Sequence, residues 1–176
     1  MDAMGRLTAR RPTVSKVLWL LVPLLAGGCI VGDNLEKSAP GVPAFTMDQL
    51  RAAPETLRVG NTEVTARAEL WRNFMPISPP DGGPLGGVVD LTPADSAAGL
   101  PAVTDAYVWV LNGSRAWATI LAPEEPVGPA NTKRYRFGGG PKWGPGISVD
   151  VVVGLRTRPD HIDLVHAGKV PISRLD

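Results

Sequence analysis

The 176-residue sequence predicts an all-β domain, an antiparallel β-sandwich with at most one short helix, and three observations carry that prediction. From Thr56 onward, short apolar or alternating runs recur at intervals of roughly 10 residues, separated by Gly, Pro, Asn and Asp. Asn112-Gly113 stands between two such runs, the strongest short-range hairpin signal. Helix boundary chemistry occurs at one place only, and a parallel sheet would need long crossovers, usually helical, that this spacing does not offer.

The helix is expected within Phe45 to Ala53. Thr46 and Gln49 have the spacing of a capping box, and Pro54 stops the helix after two turns at most. Thr56 to Val59 is a first short strand and Gly60-Asn61 a turn. In the next run Val64, Ala66, Ala68 and Leu70 alternate with Glu63, Thr65, Arg67 and Glu69, the period of a half-buried strand, which puts Trp71 on the polar face. Pro76, Pro79, Pro80 and Pro84 then enforce an extended loop, since proline cannot donate to a ladder. Leu85 to Leu91 resumes as strand, with Gly86 and Gly87 marking a bend or a close backbone approach.

Around Asn112-Gly113, the strands Ala106 to Leu111 and Ser114 to Leu121 are expected to pair through a type I′ turn that opposes Trp109 to Ala116. One face then carries Tyr107, Trp109, Leu111, Ala116, Ala118 and Ile120, and its large side chains against alanines suggest the core side. Lys133 to Phe137 alternates as a strand, and Gly138 to Gly146 reads as a loop around Trp143. Ile147 to Leu155 is valine-rich with every odd position apolar, Arg156 to Asp160 is a turn, and His161 to Val165 and Val170 to Ser173 are two last strands. Seven or eight strands suit a sandwich that is immunoglobulin-like in shape only, because the Cys-Trp-Cys marker of true immunoglobulin domains is missing.

Ahead of this domain, Arg6, Arg10, Arg11 and Lys16 precede an apolar run from Val17 to Leu25, and small residues lead to the lone cysteine, Cys29. This is the three-part layout of an export signal, and the apolar run is too short for the ~20 residues a bilayer span requires. With the sequence Leu24-Leu25-Ala26-Gly27-Gly28-Cys29, the segment resembles a bacterial lipoprotein precursor, although Ala26 stands where that family prefers leucine. The resemblance implies a signal peptide over residues 1–28, lipidation of Cys29 as the first mature residue, and a membrane partner reached through that anchor. Ile30 after the cysteine implies the outer membrane, if the organism has one. Residues 29–44, polar and small, read as a flexible tether, and residues 45–176 as one domain. A single cysteine forms no internal disulfide, so the apolar core must hold the fold.

Removal of residues 1–28 takes away four basic residues and one acid, which leaves 14 Lys and Arg against 16 Asp and Glu. The net charge falls from +1 to about −2 with no basic stripe, which argues against nucleic acid as a partner. Catalytic signals are sparse. No serine lies in a nucleophile elbow, and Gly138-Gly139-Gly140 lacks the Lys-Ser/Thr ending and following helix of a phosphate loop. A hydrolytic or metal-assisted reaction could use His161, Asp163 and His166, or a carboxylate pair from among Glu63, Glu69, Asp90, Glu124, Glu125 and Asp150, and polar residues on the solvated face of a late strand are the better reading of the histidine set. No cofactor is implied. Trp71, Phe74 and Trp143, in or beside Pro/Gly-rich loops, offer large contact area, with a polar handle on the two indoles, and are the expected binding residues. The resulting expectation is a lipid-anchored envelope module that binds a protein or glycan or gives structural support.

Overall fold

A computed structural model describes residues 38–95, 97, 99–125 and 131–176. Within them the chain is mostly strand, with one short helix, α1 (Met47–Arg51). The expected capping box starts that helix: the Thr46 hydroxyl accepts from the Gln49 N–H at 3.2 Å, and the Gln49 side-chain oxygen accepts from the Thr46 N–H at 2.8 Å.

Nine strands follow: β1 (Thr56–Val59), β2 (Thr62–Asn73), β3 (Leu85–Pro93), β4 (Asp105–Asn112), β5 (Arg115–Ile120), β6 (Ala122–Glu124), β7 (Lys133–Gly140), β8 (Ser148–Arg158) and β9 (His161–Leu175). They join in one sheet of order β5-β4-β8-β9-β2-β3-β7-β6, with β1 paired to β2 beside the path. The expectation of purely antiparallel pairing is corrected at one junction. There Leu70 to Asn73 of β2 lie parallel to Ile172 to Leu175 of β9. These strands are far apart in sequence, so the chain between them serves as the crossover that local spacing did not reveal.

Curling of the sheet follows from two strands that serve both halves. β9 pairs with β8 through its first eleven positions and then with β2, and a bulge changes its course. Val151 opposes Gly168 while Val152 opposes His166, so Ala167 is an extra residue, and Gly168 takes a φ of 92°. One extra residue exchanges the faces. Val165 points to the core before the bulge, and Val170 and Ile172 after it. The sequence therefore looked like two short strands where there is one. On the other flank β5 passes to β6 through Leu121 alone, although the two lie at opposite ends of the hydrogen-bonded order. Trp117 of β5 accordingly packs on Phe137 of β7, ring centroids 6.2 Å apart.

Inside the curl, Val64, Leu70, Val89, Val108, Val110 and Val151 belong to one buried cluster. Period two holds in β2 as expected, and the odd valines of β8 face this core. The hairpin differs from expectation in two ways. Asn112 pairs with Arg115, so Gly113 and Ser114 are the turn residues, and Trp109 opposes Ala118. Gly113 has φ 61° and no described non-glycine residue has positive φ, which places glycine first, as a type II′ turn requires. The register moves by two residues, so face membership is unchanged. The main core, however, lies on the other face, that of Val108, Val110 and Trp117. Tyr107, Trp109, Leu111, Ala116 and Ala118 form a second cluster, covered by Leu50 of α1 and by Phe45, whose ring meets Trp109 edge-on at 5.3 Å.

That covering segment is fastened at both ends. Arg51 donates to the Gly113 carbonyl at 2.7 Å, and the Ala39 N–H donates to the Ala118 carbonyl at 3.1 Å on the outer edge of β5. Gly154 of β8 lies beneath the same cluster, where an added Cβ would stand 2.6 Å from the Trp109 ring.

Candidate functional site

At one end of the molecule lie the loop after β2, the hairpin turn at 113–114, the loop after β7 and the chain's last residues. Arg72 organises this end. Its position continues the inward parity of Val64, Ala68 and Leu70, so its side chain enters the protein and is 4% exposed. Among the described residues its hydrogen bonds go only to backbone carbonyls: Gly83 at 2.9 Å, Gly144 at 2.6 Å, Lys142 at 3.2 Å, and Asp81. A planar group with five fixed donors satisfies four carbonyls from two loops at once, more than the three donors of a lysine ammonium could serve. Two Pro/Gly-rich loops, distant in sequence, are thereby held together. Lys142 adds a second tie, donating to both Asp81 carboxylate oxygens at 2.7 Å. Chiefly through that hydrogen bond, the Asp81 pKa is held below its ordinary value.

The three expected binding aromatics end in different environments. Trp143 is 6% exposed and lies in the main core with the Arg115 guanidinium 5.1 Å above its ring. Phe74 is half-buried between two cations, Arg174 at 4.1 Å and Arg72 at 5.0 Å from its centroid, and it covers Gly82, where a Cβ would come within 2.5 Å of the ring. Trp71 is half-buried on the outer face of β2, opposite Gly86 of β3. The next glycine, Gly87, is required by a close approach, since its Cβ would stand 2.5 Å from the Glu69 carbonyl oxygen.

Beside Trp71 runs a groove of about 340 Å³. It follows from the sheet's branching: β1 pairs with β2 up to Thr65 and β9 joins it only at Leu70, so Ala66 to Glu69 have no strand partner on that side among the described residues. Arg67, Glu69 and Trp71 line one wall, and Pro171, Ser173 and Leu175 the other. An apolar floor, an indole edge and two opposite charges suit an extended chain or a saccharide better than a small reactive substrate.

The opposite end holds a cleft of about 520 Å³ with Arg58, Thr157, Arg158 and Asp163 on its walls. Asp163 is its organising group. It takes His161 Nε2 at 2.9 Å and Arg158 at 3.5 Å on one oxygen and the Thr157 hydroxyl at 2.9 Å on the other. His161 and Asp163 thus meet as their shared parity implied. His166 does not join them. It lies at the bulge, 3.8 Å from Asp150. Thr157 bonds to the carboxylate and not to the imidazole, so the hydroxyl-imidazole-carboxylate order of a nucleophilic relay is not formed. Among the described residues no three His, Cys, Asp or Glu side chains gather as a metal site.

Cys29, the expected lipidation residue, lies outside the described residues. No described helix is long and apolar enough to cross a membrane. Comparison with family models, with curated proteins and with solved structures finds no match. Arg72 escaped the sequence reading. Its signal was a charged residue on the apolar parity of a clearly alternating strand, directly before a loop rich in proline.

Proposed function

We propose that this protein is an exported, lipid-anchored module of the cell envelope whose folded domain binds a protein or glycan partner along the groove beside Trp71. The observation that carries the binding half is the groove itself, an interruption in the sheet between β2 and β9 with an accessible indole on its wall. The anchoring half rests on the basic segment, the short apolar run and Cys29. In this reading the curled sheet acts as a sandwich-like shell, two halves packed through a common core, that presents the groove rigidly. With Trp143 in the core, the contact surface narrows to Trp71 with Phe74 at its end. The Asp163 cluster ties β8 to β9 and is read as structural.

The test is a pull-down from detergent-solubilised envelopes with the acylated protein and its Trp71→Ala variant. A specific co-purifying component, lost from the variant while its melting curve stays near that of the parent, is the expected result. An identical set of components with both proteins would remove the groove from the function. Cys29→Ser tests the anchor separately, with loss of precursor processing and release from the membrane fraction expected.

A further inference from the structure

The loop from Asn73 to Pro80 has an unusual combination of exposure, composition and rigidity. Ile77, at its tip, is 94% exposed and Met75 is 41% exposed, with Leu175 of the adjoining C-terminal strand at 43%. No charged residue occurs from Asn73 to Pro80. Apolar tips of this kind are usually costly to bury because their backbone must lose water too. Here most of the backbone N–H groups are already provided for. Pro76, Pro79 and Pro80 have no N–H, and Phe74 donates to the Leu175 carbonyl at 2.7 Å. Met75 donates to the Asn73 side-chain oxygen at 2.8 Å and Ser78 to the Met75 carbonyl at 2.7 Å. Within this loop the Ile77 N–H is the one backbone donor without an acceptor among the described residues. Arg72 holds the base of the loop from within, so little ordering remains to be done on contact.

From this geometry we infer that the Met75–Ile77 tip is a membrane-contacting element that seats the domain on the bilayer bearing the Cys29 anchor. The inference rests on the anchoring reading and goes beyond it in fixing which end faces the lipid. Tether length is what selects the bilayer. Cys29 is nine residues before Ser38, a reach of roughly 30 Å when extended. Ser38 and Ala39 bond to Ala118, three residues along β5 from Arg115 at the loop end, or about 10 Å at strand rise. A tether of that length reaches past this end with slack, so the tip can enter the interface while the acyl chains stay inserted. The cations at the loop's shoulder are already paired, Lys142 with Asp81 and Arg174 with Asp176. Contact is therefore apolar and shallow, of the kind interfacial elements make, and needs no anionic lipid.

The experiment uses the acylated full mature chain in phosphatidylcholine vesicles carrying nitroxide-labelled acyl chains. An environment-sensitive fluorophore is placed on Ile77→Cys and, for comparison, on Ile120→Cys. Ile120 is 48% exposed at the far end of β5, and the lipid occupies the sulfur of Cys29. A blue shift and a several-fold larger quenching at position 77 than at 120 are expected. Equal quenching, with Cys29→Ser still releasing the protein, would overturn the lipid contact and leave the anchor standing. A label at 77 that is wet on vesicles and shielded only in native envelopes would also overturn it, and assign the tip to a protein partner. Unchanged processing and partition of Cys29→Ser would remove the anchor and this inference with it.

Discussion

Arg72 shows how a single side chain can determine a surface. Its guanidinium replaces water at four carbonyls of loops that carry few ladder hydrogen bonds of their own. Arg72→Met should therefore cost about 3 kcal/mol, because the carbonyls lose a charged donor inside the protein. Urea unfolding checks this, and fluorescence of the adjoining Trp71 and Trp143 should report looser loops before the global transition. A cost within the range of an ordinary surface change would mean that water replaces the guanidinium easily. Asp81 gives the second residue-level prediction. The Lys142 ammonium holds its pKa below the ordinary carboxylate value, so the folded value lies below the unfolded one. The stabilisation is then fully present above the ordinary carboxylate range and is lost as pH falls through the lowered value. In an NMR titration Asp81 should protonate below its usual pH, and Lys142→Ala should bring it back. Both groups are exposed, so the effect on global stability stays small. Of these residues, Arg72 was legible as an oddity of parity, whereas the Asp81–Lys142 pair joins positions that no local pattern connects.

At the scale of elements, short α1 owes its existence to its cap and to the apolar face beneath it. Thr46→Ala should lower stability by about 1 kcal/mol, the usual cost of losing such a cap. Truncating Phe45 should cost about 2 kcal/mol, below the range for fully buried phenylalanines because the ring is only half-buried against Trp109. Thermal unfolding of the two variants checks both, and a larger loss for Thr46→Ala would mean that the cap, and not packing, holds the segment. Gly154→Ala belongs to the same element pair. Its methyl would meet Trp109 and Ile162, so a loss of about 2 kcal/mol from overpacking is expected. The hairpin's face membership was legible because alternation survives a two-residue slip. Its core side was not, because β4 is apolar on both faces and both are buried.

For the whole molecule, the decisive features are the two strands that change partners. β9 passes from β8 to β2 between Pro171 and Ile172, beyond the Gly168 bulge, and the β5–β6 segment crosses at Leu121 from β4 to β7. These crossings curl the sheet around one core and open the groove at Trp71 where β1 and β9 fail to meet along β2. The two tryptophans of the expected surface should consequently behave differently. Trp143→Ala should destabilise by about 3 kcal/mol as a core truncation, and Trp71→Ala by no more than about 1 kcal/mol. Chemical denaturation separates the two, and equal losses would place Trp71 among the structural residues.

By itself the sequence determined the strand-rich class, the position and cap of the one helix, and the inward and outward faces of β2 and β8. Each of these is set by neighbours a few residues apart: alternation, a capping box, glycine in a turn. The export segment proposed to end at Cys29 is likewise read from local chemistry. Only the tertiary structure decided that β9 lies parallel to β2, that Trp143 is buried while Trp71 is open, and that Arg72 joins two loops. Those outcomes depend on contacts between residues some seventy to a hundred positions apart, as from Arg72 to Gly144 or from Leu70 to Ile172. The chain's local pattern holds no record of such contacts, because any apolar strand of suitable length satisfies the same alternation.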